Sequence, residues 1–257
     1  MHLQDTTAII TGAARGLGLE FTRSILTAGG RVFMTDIDET ELSASCKLLQ
    51  EAHPGRVSCM RQNVIDMDSF DAAFDAANRA FHPYQVNVLV NNAGIGYPYN
   101  KFYTDKSTNW TRLVDVNLSS VIRGTQVALR RLSSVDGKRP VVVNVASFAA
   151  FTTPHQGPVY AATKAAVVAF TKAAGKSPSG IRVVALCPAF VDTPLMKPVM
   201  SSDPKFVAKV GLMTTAYVAE AFALSIKDED NSGAAMAIST QQGFQYIGLT
   251  KNATSKL

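Results

Sequence analysis

Tyr160 and Lys164 stand four residues apart in an alanine-rich stretch, which puts both side chains on one face of a helix. A tyrosine hydroxyl ionises near pH ~10 and is a poor base at neutral pH. A neighbouring ammonium favours the phenolate and lowers that value. A tyrosine so placed can take a proton from a bound hydroxyl group. Tyr-x-x-x-Lys is common on surface helices, so the pair means little without company. That company is Thr11-Gly12-Ala13-Ala14-Arg15-Gly16-Leu17-Gly18, set between an apolar run and a helical stretch. Glycines 12, 16 and 18 let the backbone turn tightly and approach a pyrophosphate. The helix that follows aims N–H groups and its positive end at the phosphates. Asp36 ends the next apolar run and is followed by Ile37. A carboxylate there accepts from both ribose hydroxyls of NAD and repels the 2′-phosphate of NADP. Arg15, a cation inside the loop, is the counter-argument. Asp36 sits where that phosphate would go, so NAD is expected over NADP.

The elements that must hold these residues repeat one rhythm, a β-branched run followed by an amphipathic stretch. Strands are expected at Thr6–Thr11, Arg31–Asp36, Val57–Asn63, Val86–Asn91, Val141–Val145, Ile181–Cys187 and Ala235–Ser239. Helices are expected near Leu17–Ala28, Glu39–Ala52, Met67–Phe81, Ser107–Leu132 and Tyr160–Lys176. Several strands are apolar at nearly every position, as parallel strands covered on both faces are. The alternation predicts an α/β chain, a doubly wound Rossmann-like parallel sheet of about seven strands with helices on both faces. One domain is expected over 1–249 and a polar tail over 250–257. The stretch from Pro188 to about Thr215 holds four prolines and little periodicity, and reads as a substrate lid. Its apolar candidates are Phe190, Leu195, Met196, Met200, Phe206, Leu212 and Met213; packing in the core or against a second subunit is the alternative reading.

Composition excludes other classes. The chain has 257 residues, 47% hydrophobic and 18% charged, with a net charge of +5. That is long enough to bury a large core and too sparsely charged for disorder. The charge is mild and no Lys/Arg run forms a nucleic-acid stripe. No apolar stretch of ~18 residues is present to span a membrane, and the first residues lack the pattern of a secretory signal. Three scattered cysteines and four histidines give no metal-ligand spacing, so no metal is expected and the cysteines read as reduced thiols.

Thr-Gly-x-x-x-Gly-x-Gly, Asn91-Asn92-Ala93-Gly94 and Tyr160-x-x-x-Lys164 together resemble the short-chain dehydrogenase/reductase family, from Thr6 to about Gly243. Within it the chain is most similar to the 15-hydroxyprostaglandin dehydrogenase-like branch. The carriers are Gly12-Ala13-Ala14, Cys187-Pro188-Ala189-Phe190-Val191-Asp192-Thr193 and Gly233-Ala234-Ala235-Met236. The resemblance implies a nicotinamide cofactor, a homodimer or homotetramer, and further site residues. Asn117 and Ser147 match the catalytic asparagine and serine, the first anchoring a water that relays the proton, the second holding the substrate oxygen. Lys164 also binds the nicotinamide ribose. Asn63 and Val64, with Asn91, Ala93 and Gly94, flank the adenosine. Pro188, Val191 and Thr193 hold the carboxamide. Gln156, Phe190 and Leu195 fall where substrate binds. Three departures stand out. Asn63 replaces an aspartate, with a small effect expected. Ala189 replaces a glycine, which is tolerable only if that backbone does not need positive φ. Gly157 replaces a glutamine, which argues against prostaglandin itself. The segment from Lys164 to Pro188, which includes a helix the family uses for dimer packing, is also slightly shorter than usual.

The terminal Ser255-Lys256-Leu257 matches a peroxisomal address read by an import receptor. The expected activity is therefore NAD-dependent oxidation of a secondary alcohol, lipid-derived or carried on acyl-CoA, in the peroxisome. Two alternatives stand beside it. One is reduction of a carbonyl or acyl-CoA by the same residues run backward. The other is a cofactor-binding subunit of a hetero-oligomer, which has no need of Ser147, Tyr160 and Lys164 together.

Overall fold

The computed structural model describes residues 1–96, 102–135, 137–203, 205, 207 and 211–247. The chain alternates β1 (Thr7–Thr11), α1 (Gly16–Thr27), β2 (Arg31–Asp36), α2 (Glu39–Ala52), β3 (Val57–Arg61), α3 (Ser69–Ala80) and β4 (Val88–Asn91). After the loop that follows come α4 (Trp110–Val114), a π-helical turn (Asp115–Ser119), α5 (Ser120–Arg131) and β5 (Val141–Val145). A short α6 (Ala149–Thr152) leads into α7 (Pro158–Ala174) and β6 (Arg182–Pro188). The rest is a 3-10 turn (Pro194–Met196), α8 (Lys197–Ser202), α9 (Thr215–Lys227), β7 (Ala235–Ser239) and β8 (Gly243–Ile247).

The strands form one sheet in the order β3-β2-β1-β4-β5-β6-β7-β8. The first seven run parallel and β8 returns antiparallel to β7. The expected Rossmann-like sheet is present, with one strand more than the seven read from the sequence and that strand reversed. Side chains alternate between the faces. Ile10, Val90 and Val143 join one core cluster, and Ile9, Leu89 and Val142 join the other. The first cluster packs under α1, α2 and α9, where the Phe21 and Phe222 rings stack 4.5 Å apart. The second packs under α3 and α5 through Phe70, Phe74 and Val127.

Strand order reverses between β1 and β4, so the connections leave in opposite directions and open a crevice at the carboxyl ends of the strands. Every expected site residue from Gly12 to Thr193 lies at such an end, on the loop after it, or on α1, the π turn or α7, apart from Gln156, which lies in the turn between α6 and α7.

Three expectations need correction. The helix expected over Ser107–Leu132 starts at Trp110 and is broken by the π turn. The stretch from Pro188 to Thr215 is partly helical, through the 3-10 turn and α8. Met213 belongs to the core and not to a lid: its N–H donates to the Phe190 carbonyl at 2.8 Å, and its carbonyl accepts from Asp192 at 2.9 Å. Phe206 and the 250–257 tail lie outside the described residues.

Candidate active site

The glycine loop owes its shape to backbone that side chains would block. Gly12 and Gly16 adopt φ of +64° and +58°. At Gly18, a Cβ would lie 2.3 Å from the Gly12 carbonyl oxygen and 2.6 Å from Asn92 Nδ2. Asn92 and Thr11 lock the loop to the end of β4. The Asn92 amide donates to the Thr11 and Gly12 carbonyls at 2.8 and 3.0 Å. Thr11 Oγ1 accepts from the Asn92 and Ala93 N–H groups at 3.0 Å each. Neither Thr11 nor Asn92 is among the residues expected at the site, although both sit inside the motifs. Asn91 turns inward instead: its amide donates to Asn144 at 2.9 Å and Thr125 at 3.2 Å. Its side chain thus braces β4 against β5, and only its backbone is left to face a cofactor.

Asp36 stands beside this loop, its carboxylate accepting from Ala14 N–H and Asp38 N–H at 3.1 Å each. Ile37 is exposed next to it. Asn63 and Val64 follow β3 in a turn where Asn63 donates to Asp66 at 3.1 Å. Arg15 occupies the position just before α1, and its side chain pairs with Glu41 at 2.5 Å. On the other side, Thr193 packs over Gly16, whose Cβ would lie 3.6 Å from Thr193 Cγ2. The segment after β6 therefore closes over the helix N-terminus. Val191 is fixed there by its bridge to Met213. Ala189 keeps its ladder bond to Ile238 at 2.9 Å and lies outside the positive-φ region, so the methyl is accommodated. The cradle fits a dinucleotide: a tight glycine turn, a helix N-terminus, and a carboxylate at the far end.

The reacting groups meet where β4, β5, the π turn and α7 converge. Asn117 is fully buried, and its amide binds the Ile95 backbone both ways, at 2.9 Å each. The extra residue of the π turn sets this side chain toward the loop after β4, as π-bulges at functional sites often do. Gly94 passes between Asn117 and Lys164; a Cβ there would lie 3.4 Å from Asn117 Oδ1 and 3.7 Å from Lys164 Nζ. Lys164 is buried, donates to the Val145 carbonyl at 2.8 Å, and sits 5.8 Å from the centre of the Tyr160 ring. Ser147 follows β5 and its hydroxyl lies near that of Tyr160, where it favours the phenolate. Cys187 lies fully buried behind Lys164, a neighbour that spacing alone does not reveal.

Electrostatics correct one expectation. Burial pulls the Lys164 ammonium down to about 8, and the same burial pushes the Cys187 thiol up to about 12. Tyr160 is raised, not lowered, because desolvation outweighs the nearby Ser147 hydroxyl. In the protein alone the pair therefore rests as phenol and ammonium.

Around this centre, Phe148 and Phe151 make an edge-to-face pair at 5.9 Å. Leu195 reaches within 3.4 Å of the place where a Gly96 Cβ would be, opposite Gly94 and the Asn117 clamp. Phe151, Leu195 and Met200 are exposed, Phe190 and Gln156 half-buried. Gly157 caps α7 next to Tyr160 with no side chain of its own. No metal-ligand cluster occurs among the described residues.

Comparison with known proteins agrees with this arrangement. The chain is 29% identical to 15-hydroxyprostaglandin dehydrogenase [NAD(+)] of Bos taurus, over 96% of this chain and 95% of that one. It is 32% identical to 3beta-hydroxysteroid dehydrogenase 2 of Eggerthella lenta, over 94% and 91%. A crystal structure of 3-ketoacyl-(acyl-carrier-protein) reductase from Brucella melitensis complexed with NADH superposes with a TM-score of 0.80. It is 29% identical and covers 90% of this chain and 96% of that one. The family described as short chain dehydrogenase matches residues 6–204. With its dinucleotide cradle and its serine, tyrosine and lysine gathered beside it, this chain belongs to the short-chain dehydrogenase family and is an NAD(P)-dependent oxidoreductase acting on CH–OH groups.

Proposed function

We propose that the chain is an NAD-dependent dehydrogenase that oxidises a secondary alcohol on an apolar, lipid-derived or acyl-CoA substrate to the ketone, in the peroxisome. The observation that carries the reaction is the meeting of Ser147, Tyr160 and Lys164 beside the glycine cradle, with Asp36 at its far end. NAD, when bound, supplies the hydride acceptor. The side chains do the rest. Ser147 holds the alcohol oxygen and Tyr160 takes its proton. Lys164 keeps a positive charge near the phenolate that results and reaches the nicotinamide ribose. Asn117 fixes the loop along the cofactor and anchors the water of a proton relay. Asn63, Val64, Ala93 and Gly94 flank the adenosine, and Pro188, Val191 and Thr193 hold the carboxamide.

Apolar substrates are favoured by the exposed side chains of Phe151, packed on Phe148 just after Ser147, and Leu195, beside Gly96. Two of the relatives carry names of lipid-alcohol dehydrogenases. The ketoacyl reductase neighbour supports the reverse reaction as a second reading, with the same residues donating what they otherwise take. Homodimer or homotetramer is the assembly we favour, with a hetero-oligomer as alternative. The peroxisomal reading rests on Ser255-Lys256-Leu257 alone. Deleting Leu257 from a fluorescently tagged full chain is expected to leave it in the cytosol; continued organellar import contradicts the address. Substrate class is tested by reduced-nicotinamide formation on one pool of hydroxyacyl-CoA thioesters and one of free secondary alcohols. Turnover confined to water-soluble short alcohols contradicts the apolar reading.

A further inference from the structure

Arg15 carries the one charge of the glycine loop, and its surroundings decide whether that charge can serve a phosphate. Its guanidinium lies 2.5 Å from Glu41 Oε2 and 3.9 Å from Asp38 Oδ2. Both acids open α2, Asp38 as its N-cap and Glu41 in its first turn. The free N–H groups of a helix start are the other means of holding an anion there. These also have carboxylate partners. Asp36 accepts from Asp38 N–H at 3.1 Å, and Asp38 accepts from Glu41 N–H at 3.1 Å. Asp36, Asp38 and Glu41 thus hold, one after another, the donors that would otherwise grip a phosphate beside the ribose.

The geometry points to Glu41 as a specificity-determining residue for the cofactor: by pairing with Arg15 it withholds the loop's cation from a 2′-phosphate, so NADP is rejected by Glu41 as well as by Asp36. This rests on the reading of Asp36 as the ribose-binding acid of an NAD site. It makes cofactor choice non-additive. Asp36→Ser removes the repulsion but leaves Arg15 engaged. Glu41→Gln removes the nearer partner of Arg15, leaving Asp38 at 3.9 Å, and leaves the repulsion. With both, the guanidinium meets the phosphate in a charge-assisted contact unopposed by Asp36. Exposed ion pairs are worth little, so Glu41→Gln alone is expected to shift the ratio by about two- to fivefold. Arg61, the register partner of Asp36 on β3, is a second cation at this end and is common to all the variants.

Isothermal titration of NAD and NADP, without substrate, tests this on the wild type, Glu41→Gln, Asp36→Ser and the double variant. A further double variant, Arg15→Gln with Glu41→Gln, isolates the guanidinium. The NADP-to-NAD affinity ratio is expected to rise about two- to fivefold in Glu41→Gln, and in the Asp36/Glu41 double variant by more than the product of the single effects. The gain is expected to vanish when Arg15 is also replaced, and to shrink at high salt. A ratio unchanged by Glu41→Gln, or a gain that survives Arg15→Gln, overturns the role of Glu41. A wild type that binds NADP as tightly as NAD overturns the NAD reading instead, and is read from a different protein in the same set.

Discussion

At the scale of single residues, the chemistry turns on two side chains that burial pushes the same way, against charge. The Lys164 value of about 8 and the raised Tyr160 mean that both are protonated at neutral pH. Oxidation needs the form that has lost one proton, with the negative charge on Tyr160 and the positive one on Lys164. Reduction needs the fully protonated form. Alcohol oxidation is therefore expected to rise with pH as Tyr160 ionises, helped by the cationic nicotinamide when bound, and to stop rising once Lys164, pulled down to about 8 by burial, gives up its own charge. Carbonyl reduction is expected to fall through the same range. A pH profile of kcat/KM in both directions checks this, and an oxidation rate still climbing beyond pH 10 contradicts it. Tyr160 and Lys164 were legible as a pair because four-residue spacing fixes their common face. Cys187 behind them and the sign of the tyrosine shift were not, because both depend on what β6 brings underneath.

At the scale of elements, loops and turns are held by few contacts with large consequences. Asn117 is the one side chain that ties the π turn to Ile95 by two bonds. Asn117→Ala strips partners from both backbone groups and is expected to cost ~1–3 kcal/mol, with a raised KM for the cofactor as the loop loosens; urea unfolding and cofactor titration measure the two effects. Gly18→Ala drives a methyl into the Gly12 carbonyl, 2.3 Å away. It is expected to weaken cofactor binding at least tenfold and to destabilise by ~1–3 kcal/mol, as overpacking does. A variant that binds NAD normally contradicts the cradle. The central strands β1, β4, β5 and β6 were legible because they are buried on both faces and read as nearly unbroken apolar runs. The π turn was not, since nothing in Asp115-Val116-Asn117-Leu118-Ser119 departs from an ordinary helix. α9 left a signal that went unread: Thr214 caps it by accepting from Tyr217 N–H, and Val218, Ala219, Phe222, Ser225 and Ile226 recur on one buried stripe. β8 is short, half-exposed and antiparallel, so it carries none of the marks of the central strands.

At the scale of the whole molecule, the seating of α9 on the sheet depends on a buried cation. Arg182 opens β6 and is wholly buried. Its guanidinium donates to the carbonyls of Ser225, Ile226 and Asp228 at the end of α9, at 3.2, 2.8 and 2.6 Å, and to Asn231 at 2.8 Å. It caps α9, neutralises the negative end of that helix, and ties it to the sheet that carries Val191 and Thr193. Arg182→Met leaves buried carbonyls without donors and is expected to cost about 3 kcal/mol or more, seen as a lowered urea midpoint. A stability within ~0.5 kcal/mol of wild type contradicts this role. Composition announced a large core but gave no sign of this residue, because a charged side chain becomes a core residue only through the partners the fold assembles.

The most direct measurement of the central claim is reduced-nicotinamide formation by the pure protein with NAD and secondary alcohols, wild type against Tyr160→Phe, with NAD affinity measured on both. The predicted result is turnover by the wild type, a loss of about 10²–10⁴-fold in Tyr160→Phe, and NAD affinity nearly equal in the two. Undiminished turnover in Tyr160→Phe, or no turnover by a wild type that binds NAD tightly, contradicts it.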